Sequence, residues 1–213
     1  MIKSDKKNKK ESKLFDRIAP FYGLFYGYQF RHYSKIIQAV RPQFDLSKYE
    51  SILDVGSGTG ALCGALLGEG LQVVGVEPAE KMLQVSRRKT PGCSFVSGDV
   101  LGVLPFDDKS FDLSIASYVA HGLVKEDRKK MYQEMGRVTK ERVIIYDYNE
   151  RTSPFTSFVE RLEGGDYFQF IRYALQEMEE CVSEMKLCFS QVQVVNVSGR
   201  AAWYICKPKE EML

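Results

Sequence analysis

The run Ser51-Ile52-Leu53-Asp54-Val55 is short and apolar, and it stops abruptly at Gly56-Ser57-Gly58-Thr59-Gly60. Helical spacing follows at once, with Leu62, Leu66 and Leu67 expected to face inward and Gly68 and Gly70 to end the helix. A strand, a glycine turn and a helix in that order leave few folds open, because the chain must cross over before it can return as a parallel neighbour. The alternation then repeats. Gln72-Val73-Val74-Gly75-Val76 reads as a strand stopped at Glu77-Pro78, with a helix through Met82, Leu83 and Val85 behind it. Ser94-Phe95-Val96-Ser97 is a short strand before Gly98-Asp99, and residues 111–116 form another after the turn Asp107-Asp108-Lys109-Ser110. A charged helix with Met131, Met135 and Val138 on one face leads into Arg142-Val143-Ile144-Ile145-Tyr146. Strands alternating with helices predict an α/β chain with a parallel sheet and right-handed crossovers.

The ends of the chain are of a different kind. From Leu14 to Val40 the sequence is aromatic-rich, with helical spacing at Tyr33, Ile36, Ile37 and Val40 and a stop at Pro42. Residues 150–170 are irregular and aromatic, and Ile171, Ala174, Leu175, Met178, Val182 and Met185 mark a long amphipathic helix. Val192, Val194, Val195 and Val197, a turn at Ser198-Gly199-Arg200, and Ala202-Trp203-Tyr204-Ile205-Cys206 predict a closing hairpin.

Composition excludes whole classes. With 44% hydrophobic and 27% charged residues over 213 positions, the chain can bury a core without a disulfide or metal staple. No apolar run approaches the ~18 residues that span a bilayer, and the charged N-terminus does not read as a secretion signal. Residues 1–13 hold six lysines against Asp5 and Glu11, so they carry +4 of the formal +2, and residues 14–213 sum to −2. The basic stretch reads as a solvated, disordered tail, and a near-neutral body argues against a nucleic-acid partner. Five cysteines without a CxxC read as reduced thiols of a cytoplasmic protein. Two histidines, His32 and His121, are too few for a His-rich metal site, and no metal is expected.

The chemistry concentrates at the strand ends. Glycines between a strand and a helix let the backbone approach a ligand closely, and a helix N-terminus offers N–H groups to an anionic one. In a doubly wound sheet the ligand crevice lies beyond the carboxyl ends of the strands. Asp54 stands there just before the glycines. Glu77 ends the second strand, where a carboxylate can accept from both hydroxyls of a ribose. Asp99 follows the third strand, placed for an adenine amino group. Gly56-x-Gly58-x-x-Ala61 with Glu77 also fits a relaxed dinucleotide fingerprint, which keeps an NAD-dependent dehydrogenase open as a rival.

Taken together, Asp54-Val55-Gly56-Ser57-Gly58-Thr59-Gly60, Glu77, Gly98-Asp99 and Leu104-Pro105-Phe106-Asp107 with Ser110-Phe111-Asp112 resemble a class I S-adenosylmethionine (SAM)-dependent methyltransferase over about residues 14–149. The resemblance implies a Rossmann-like, doubly wound, mostly parallel seven-stranded sheet of order 3-2-1-4-5-7-6, with strand 7 antiparallel. It implies one methyltransferase domain over residues 14–213, capped by a helical segment at 14–42 and carrying an aromatic-rich insert at 150–170. Phe15-Asp16-Arg17-Ile18-Ala19-Pro20-Phe21-Tyr22 is similar to the N-terminal segment of ubiquinone/menaquinone-type small-molecule methyltransferases, although Gly23 stands where those relatives often have Asp. In that group Tyr22's position lies near the methionine end of the cofactor.

The resemblance also implies roles for individual positions. Gly56, Ser57, Gly58 and Gly60 approach the methionine moiety, with Asp54 near its amino group. Glu77 holds the ribose, Pro78 and Met82 flank the adenine, and Asp99 with Val100 reads its edge. Ser117 and Tyr118 line the methionine and acceptor side. His121 occupies a place where many relatives carry a histidine, here followed by Gly122, and is the candidate base or acceptor-orienting residue.

The absent motifs narrow the acceptor. There is no Asn/Asp-Pro-Pro-Tyr/Phe after the fourth strand, no Pro-Cys pair, and no carboxylate cluster for Mg²⁺. These absences argue against nucleic-acid and Mg²⁺-dependent acceptors, and the aromatic-rich Tyr167-Phe168-Gln169-Phe170 insert suits a cap over a small, partly apolar one. The resemblance implies methylation by in-line displacement, with S-adenosylhomocysteine as product. A SAM-binding protein that does no chemistry is the second rival.

Overall fold

The computed structural model describes residues 24–149, 180–199 and 201–209. Seven strands form one sheet: β1 (Ser51–Val55), β2 (Gln72–Glu77), β3 (Ser94–Ser97), β4 (Phe111–Ser117), β5 (Thr139–Tyr148), β6 (Gln191–Asn196) and β7 (Ala201–Lys207). Their order is β3-β2-β1-β4-β5-β7-β6, parallel from β3 through β5, with β7 antiparallel to both β5 and β6. This is the order that the resemblance implies.

Alternate side chains of each strand go to opposite faces, and both faces are covered. Ile52, Leu113, Ile115, Ile144 and Ile205 pack on one side with α1 (Tyr26–Val40), α2 (Ala61–Leu67) and Leu83 of α3 (Glu80–Lys89). Leu53, Val55, Ala116, Val143 and Ile145 pack on the other with Met131, Met135 and Val138 of α4 (Lys125–Val138) and with Cys181 and Met185 of α5. Of α5, residues 180–188 are described. Each such fully buried aliphatic side chain contributes about 1.5–3 kcal/mol, so neighbouring residues of one strand anchor two separate layers.

Several expectations change in detail. Leu67 is 37% exposed rather than inward-facing. It follows Leu66 by one position, and a helix turns by about 100° per residue. β5 is longer than the expected core of residues 142–146, because it pairs with β4 on one side and β7 on the other. The basic tail at 1–13, the first part of the 14–42 cap including Tyr22, the 150–170 insert, positions 171–179 and Arg200 lie outside the described residues.

All five cysteines are free thiols. Among the described residues no helix is long and apolar enough to cross a membrane.

Register is what builds the site. Val55 lies opposite Val76 and Ala116, Glu77 opposite Ser97, and Ser117 opposite Tyr146. The chain therefore leaves β1, β2, β3, β4 and β5 along one row, at Gly56, Glu77, Gly98, Ser117 and Asp147. Helix α1 runs along this edge, where Tyr33 Oη lies 3.1 Å from Ser117 Oγ and His32 Nε2 lies 3.2 Å from Tyr146 Oη.

Candidate active site

The glycine turn is closed by its own hydrogen bonds. Gly56 and Ser57 N–H donate to the Val76 carbonyl at 2.9 and 3.1 Å, and Gly60 N–H donates to the Ser57 carbonyl at 2.9 Å. Gly58 N–H donates to Glu77 Oε2 at 3.0 Å, while Ala79 N–H donates to Oε1 at 2.9 Å. Glu77 is thus a buried carboxylate, 6% exposed, pinned between the turn and the start of α3.

The three glycines differ in purpose. All have positive φ, at 72°, 52° and 78° for Gly56, Gly58 and Gly60. A side chain at Gly60 would meet Phe95 at 2.9 Å, so this glycine serves packing beneath the turn. One at Gly56 would meet Val119 Cγ2 at 2.8 Å, which brings the segment after β4 hard against the turn. At Gly58 a side chain would meet nothing within 4 Å among the described residues. The Ser57 hydroxyl is buried, with no hydrogen-bond partner among the described residues, 2.8 Å from where a Gly75 side chain would begin. It packs over β2, so Ser57 meets the turn through its backbone.

Asp54 lies deeper than the glycines. It is 1% exposed, and Oδ2 accepts from the Cys63 thiol at 3.1 Å. Burial pushes its carboxyl up to about 7 against the lowering effect of that hydrogen bond, and the nearby Glu77 charge adds to the rise. Further along the row, Met82 and Val100 are buried, whereas Pro78 and Asp99 are exposed. Asp99 Oδ1 accepts from Leu101 N–H at 2.9 Å, a turn-forming bond that occupies one oxygen.

The β4 and β5 ends hold an aromatic cluster. Tyr118 has φ of 56°, a costly conformation for a non-glycine residue, secured by its N–H donating to the Tyr146 carbonyl at 2.8 Å. Its ring stands 4.9 Å from Tyr146, 5.2 Å from Tyr148 and 6.3 Å from His121, centroid to centroid. Burial raises the phenols of Tyr33 and Tyr118 far above their usual range and that of Tyr146 to about 12, so all three stay protonated and neutral near pH 7. His121 Nδ1 lies 2.9 Å from Oδ1 of Asp147, a carboxylate with no exposed surface.

The structure gathers Asp54, Gly56, Ser57, Gly58, Glu77, Ser117, Tyr118 and His121 around one row of strand ends. Asp147, Cys63 and the Tyr146–Tyr148 wall are parts that the sequence reading did not single out. The one available signal was an acid, Asp147, at the end of the otherwise apolar run of β5.

Comparison with known proteins agrees with this fold. The methyltransferase-domain family profile matches residues 53–146, from β1 to β5. A demethylmenaquinone methyltransferase of Thermotoga maritima is 30% identical over 162 residues, covering 71% of this chain and 67% of that protein. An uncharacterised methyltransferase of Oceanobacillus iheyensis is 28% identical over 51% of this chain, which spans about half of that relative, 49%. The crystal structure of a Methanococcus maripaludis protein assigned to the SAM-dependent methyltransferases superposes with a TM-score of 0.71 at 16% identity, over 93% of this chain and 95% of that one. The chain belongs to the class I SAM-dependent methyltransferases.

Proposed function

We propose that residues 14–213 form one catalytic domain that binds SAM along the row of strand ends and methylates a small, partly apolar acceptor. The hydrogen bonds of the glycine turn carry the cofactor assignment. A pyrophosphate site needs turn N–H groups aimed at the ligand, but Gly56, Ser57, Gly58 and Gly60 already donate within the protein, one of them to a carboxylate. Such a turn suits a ligand with a ribose and no phosphate. Glu77 would accept from the ribose hydroxyls, with Met82, Pro78, Val100 and Asp99 around the adenine. Gly58 offers open backbone to the methionine portion, with Asp54 beneath and Ser117 and Tyr118 on the acceptor side.

When bound, SAM supplies a methyl group on a sulfonium, which a nucleophile can take in a single in-line displacement. The protein's task is then mostly alignment, and proximity and orientation can supply about 7–11 kcal/mol of barrier reduction. The half-buried rings of Tyr118 and Tyr148, backed by the buried Tyr146, would orient an apolar acceptor and exclude water. His121, 15% exposed at its side chain, is the proposed base on that wall.

Calorimetric titration of Glu77→Ala with S-adenosylhomocysteine tests the ribose placement. The expected loss is about 1–3 kcal/mol of binding, with urea unfolding measured alongside to register any loosening of the turn. Unchanged affinity would contradict the placement. Release of labelled methyl to any acceptor separates the enzyme from a SAM-binding protein without chemistry.

A further inference from the structure

Tyr146 is the junction of a hydrogen-bonded chain separate from the glycine turn and Glu77. It has no exposed surface, and its ring meets those of Tyr33, Tyr118 and Trp203. Its hydroxyl has two polar neighbours among the described residues. Tyr118 Oη donates to it at 3.4 Å, and His32 Nε2 lies at 3.2 Å. A phenol has a single hydrogen to give. Tyr118 already supplies one to the Tyr146 oxygen, and a buried hydroxyl cannot turn its own toward bulk solvent. The Tyr146 hydrogen therefore goes to His32 Nε2, which offers a lone pair. That sets His32 as a neutral ring with its proton on Nδ1.

Polarity then runs one way along the chain, from Tyr118 to His32 on helix α1. Because Tyr118 spends its hydrogen on Tyr146, its oxygen can only accept from a further group. Burial keeps both phenols protonated near neutral pH, so neither changes role by ionising. Tyr118 is half-buried and follows Ser117 at the β4 end. The next residue, Val119, stands against Gly56 of the turn, which sets Tyr118 beside the cofactor row. Its ring meets Tyr148 edge-to-face at 5.2 Å, an arrangement that presents flat aromatic surface to a neighbour.

We propose that Tyr118 accepts a hydrogen bond from the molecule to be methylated, with Tyr146 and His32 as positioning residues that hold it in that role. The substrate class that fits is a small, flat-ringed compound presenting an N–H or O–H donor. A carboxylate, a tertiary amine or an ether offers lone pairs alone and would face the Tyr118 lone pairs unpaired, which selects against it. The reading rests on the methyltransferase assignment above.

Indole and benzofuran share one flat shape and differ in carrying an N–H or an oxygen at the same place. With S-adenosylhomocysteine bound, calorimetric titration should show indole binding about tenfold more tightly, the worth of one hydrogen bond. Tyr118→Phe should remove the difference. His32→Leu should remove it too, because Tyr146 can then donate to Tyr118 and turn the Tyr118 hydrogen outward. His32→Gln should keep it, since the amide oxygen can accept from Tyr146; a packing role alone would not separate Gln from Leu. Imidazole ¹⁵N NMR of the ligand-free protein, with His32→Leu identifying the signals, should show the Nδ1–H tautomer at His32. A His32 ring protonated on Nε2, equal affinity for the two probes, binding of neither, or the same behaviour of His32→Leu and His32→Gln would overturn the proposal. Absence of S-adenosylhomocysteine binding would instead overturn the underlying assignment.

Discussion

Asp54 is a poor place for a charge. Its folded carboxyl titrates at about 7, well above the usual carboxylate range, because burial disfavours the ionised form. The folded state therefore binds a proton that the unfolded chain has already released between roughly pH 4 and 7. The associated stability is fully present below the unfolded value and is lost as pH rises through the folded one. In the ligand-free protein, the stability of wild type relative to Asp54→Asn should fall as urea unfolding is repeated from pH 5 to pH 8. A difference that does not change with pH would contradict this environment. At this scale the turn glycines and Glu77 were legible, since a strand–turn–helix leaves those positions little choice. Asp147 was not, because its partner lies 26 residues away and the two meet only through the β4–β5 register. Nor did the sequence say that Ser57 would turn its hydroxyl toward Gly75.

Between elements, one buried ion pair links the last helix to the site. Arg128 of α4 makes two bonds to Glu184 of α5, Nε to Oε2 at 2.8 Å and Nη2 to Oε1 at 3.0 Å. Its Nη1 also donates to the Leu123 carbonyl at 2.7 Å, steadying the segment that carries His121. Removing one partner strands the other charge, so Glu184→Ala should cost about 3–5 kcal/mol in urea unfolding. The double change Arg128→Met/Glu184→Leu should recover most of that. A single-mutant loss below about 1 kcal/mol, the range of an exposed pair, would contradict the pair's burial. Strand positions were read well because apolar runs between glycines and prolines have few alternatives. Leu67 was misjudged because adjacent leucines look alike in a pattern that only packing against α1 and β2 resolves. The pairing of Arg128 with Glu184 joins segments 56 residues apart and leaves no local signature.

At the scale of the whole molecule, the alternating β and α segments and the terminal hairpin determine the sheet order, and the sheet order determines where a ligand can lie. Five strand ends converge on one edge. Glu77 and the glycine turn lie at the β1 and β2 ends, while His121, Asp147 and the tyrosines cluster at the β4 and β5 ends. The positions of the glycine turn and Glu77 were legible because each strand end there carried its own motif. At the β4 end Ser117, Tyr118 and His121 were singled out, but their packing with Tyr33, Tyr146 and Asp147 was not, since it joins α1, β4 and β5 and no short pattern encodes it. The central claim is that the glycine turn, whose Gly56, Ser57, Gly58 and Gly60 N–H groups donate within the protein, is built with Glu77 for SAM rather than a dinucleotide. Thermal unfolding with SAM, S-adenosylhomocysteine, NAD and NADP, each in excess, tests it most directly. A ligand at ~100 times its dissociation constant adds about 2.7 kcal/mol, and each kcal/mol moves the midpoint by roughly 2–4 °C at this length. SAM and its product alone should raise the midpoint; a rise with NAD or NADP and none with SAM would contradict the account.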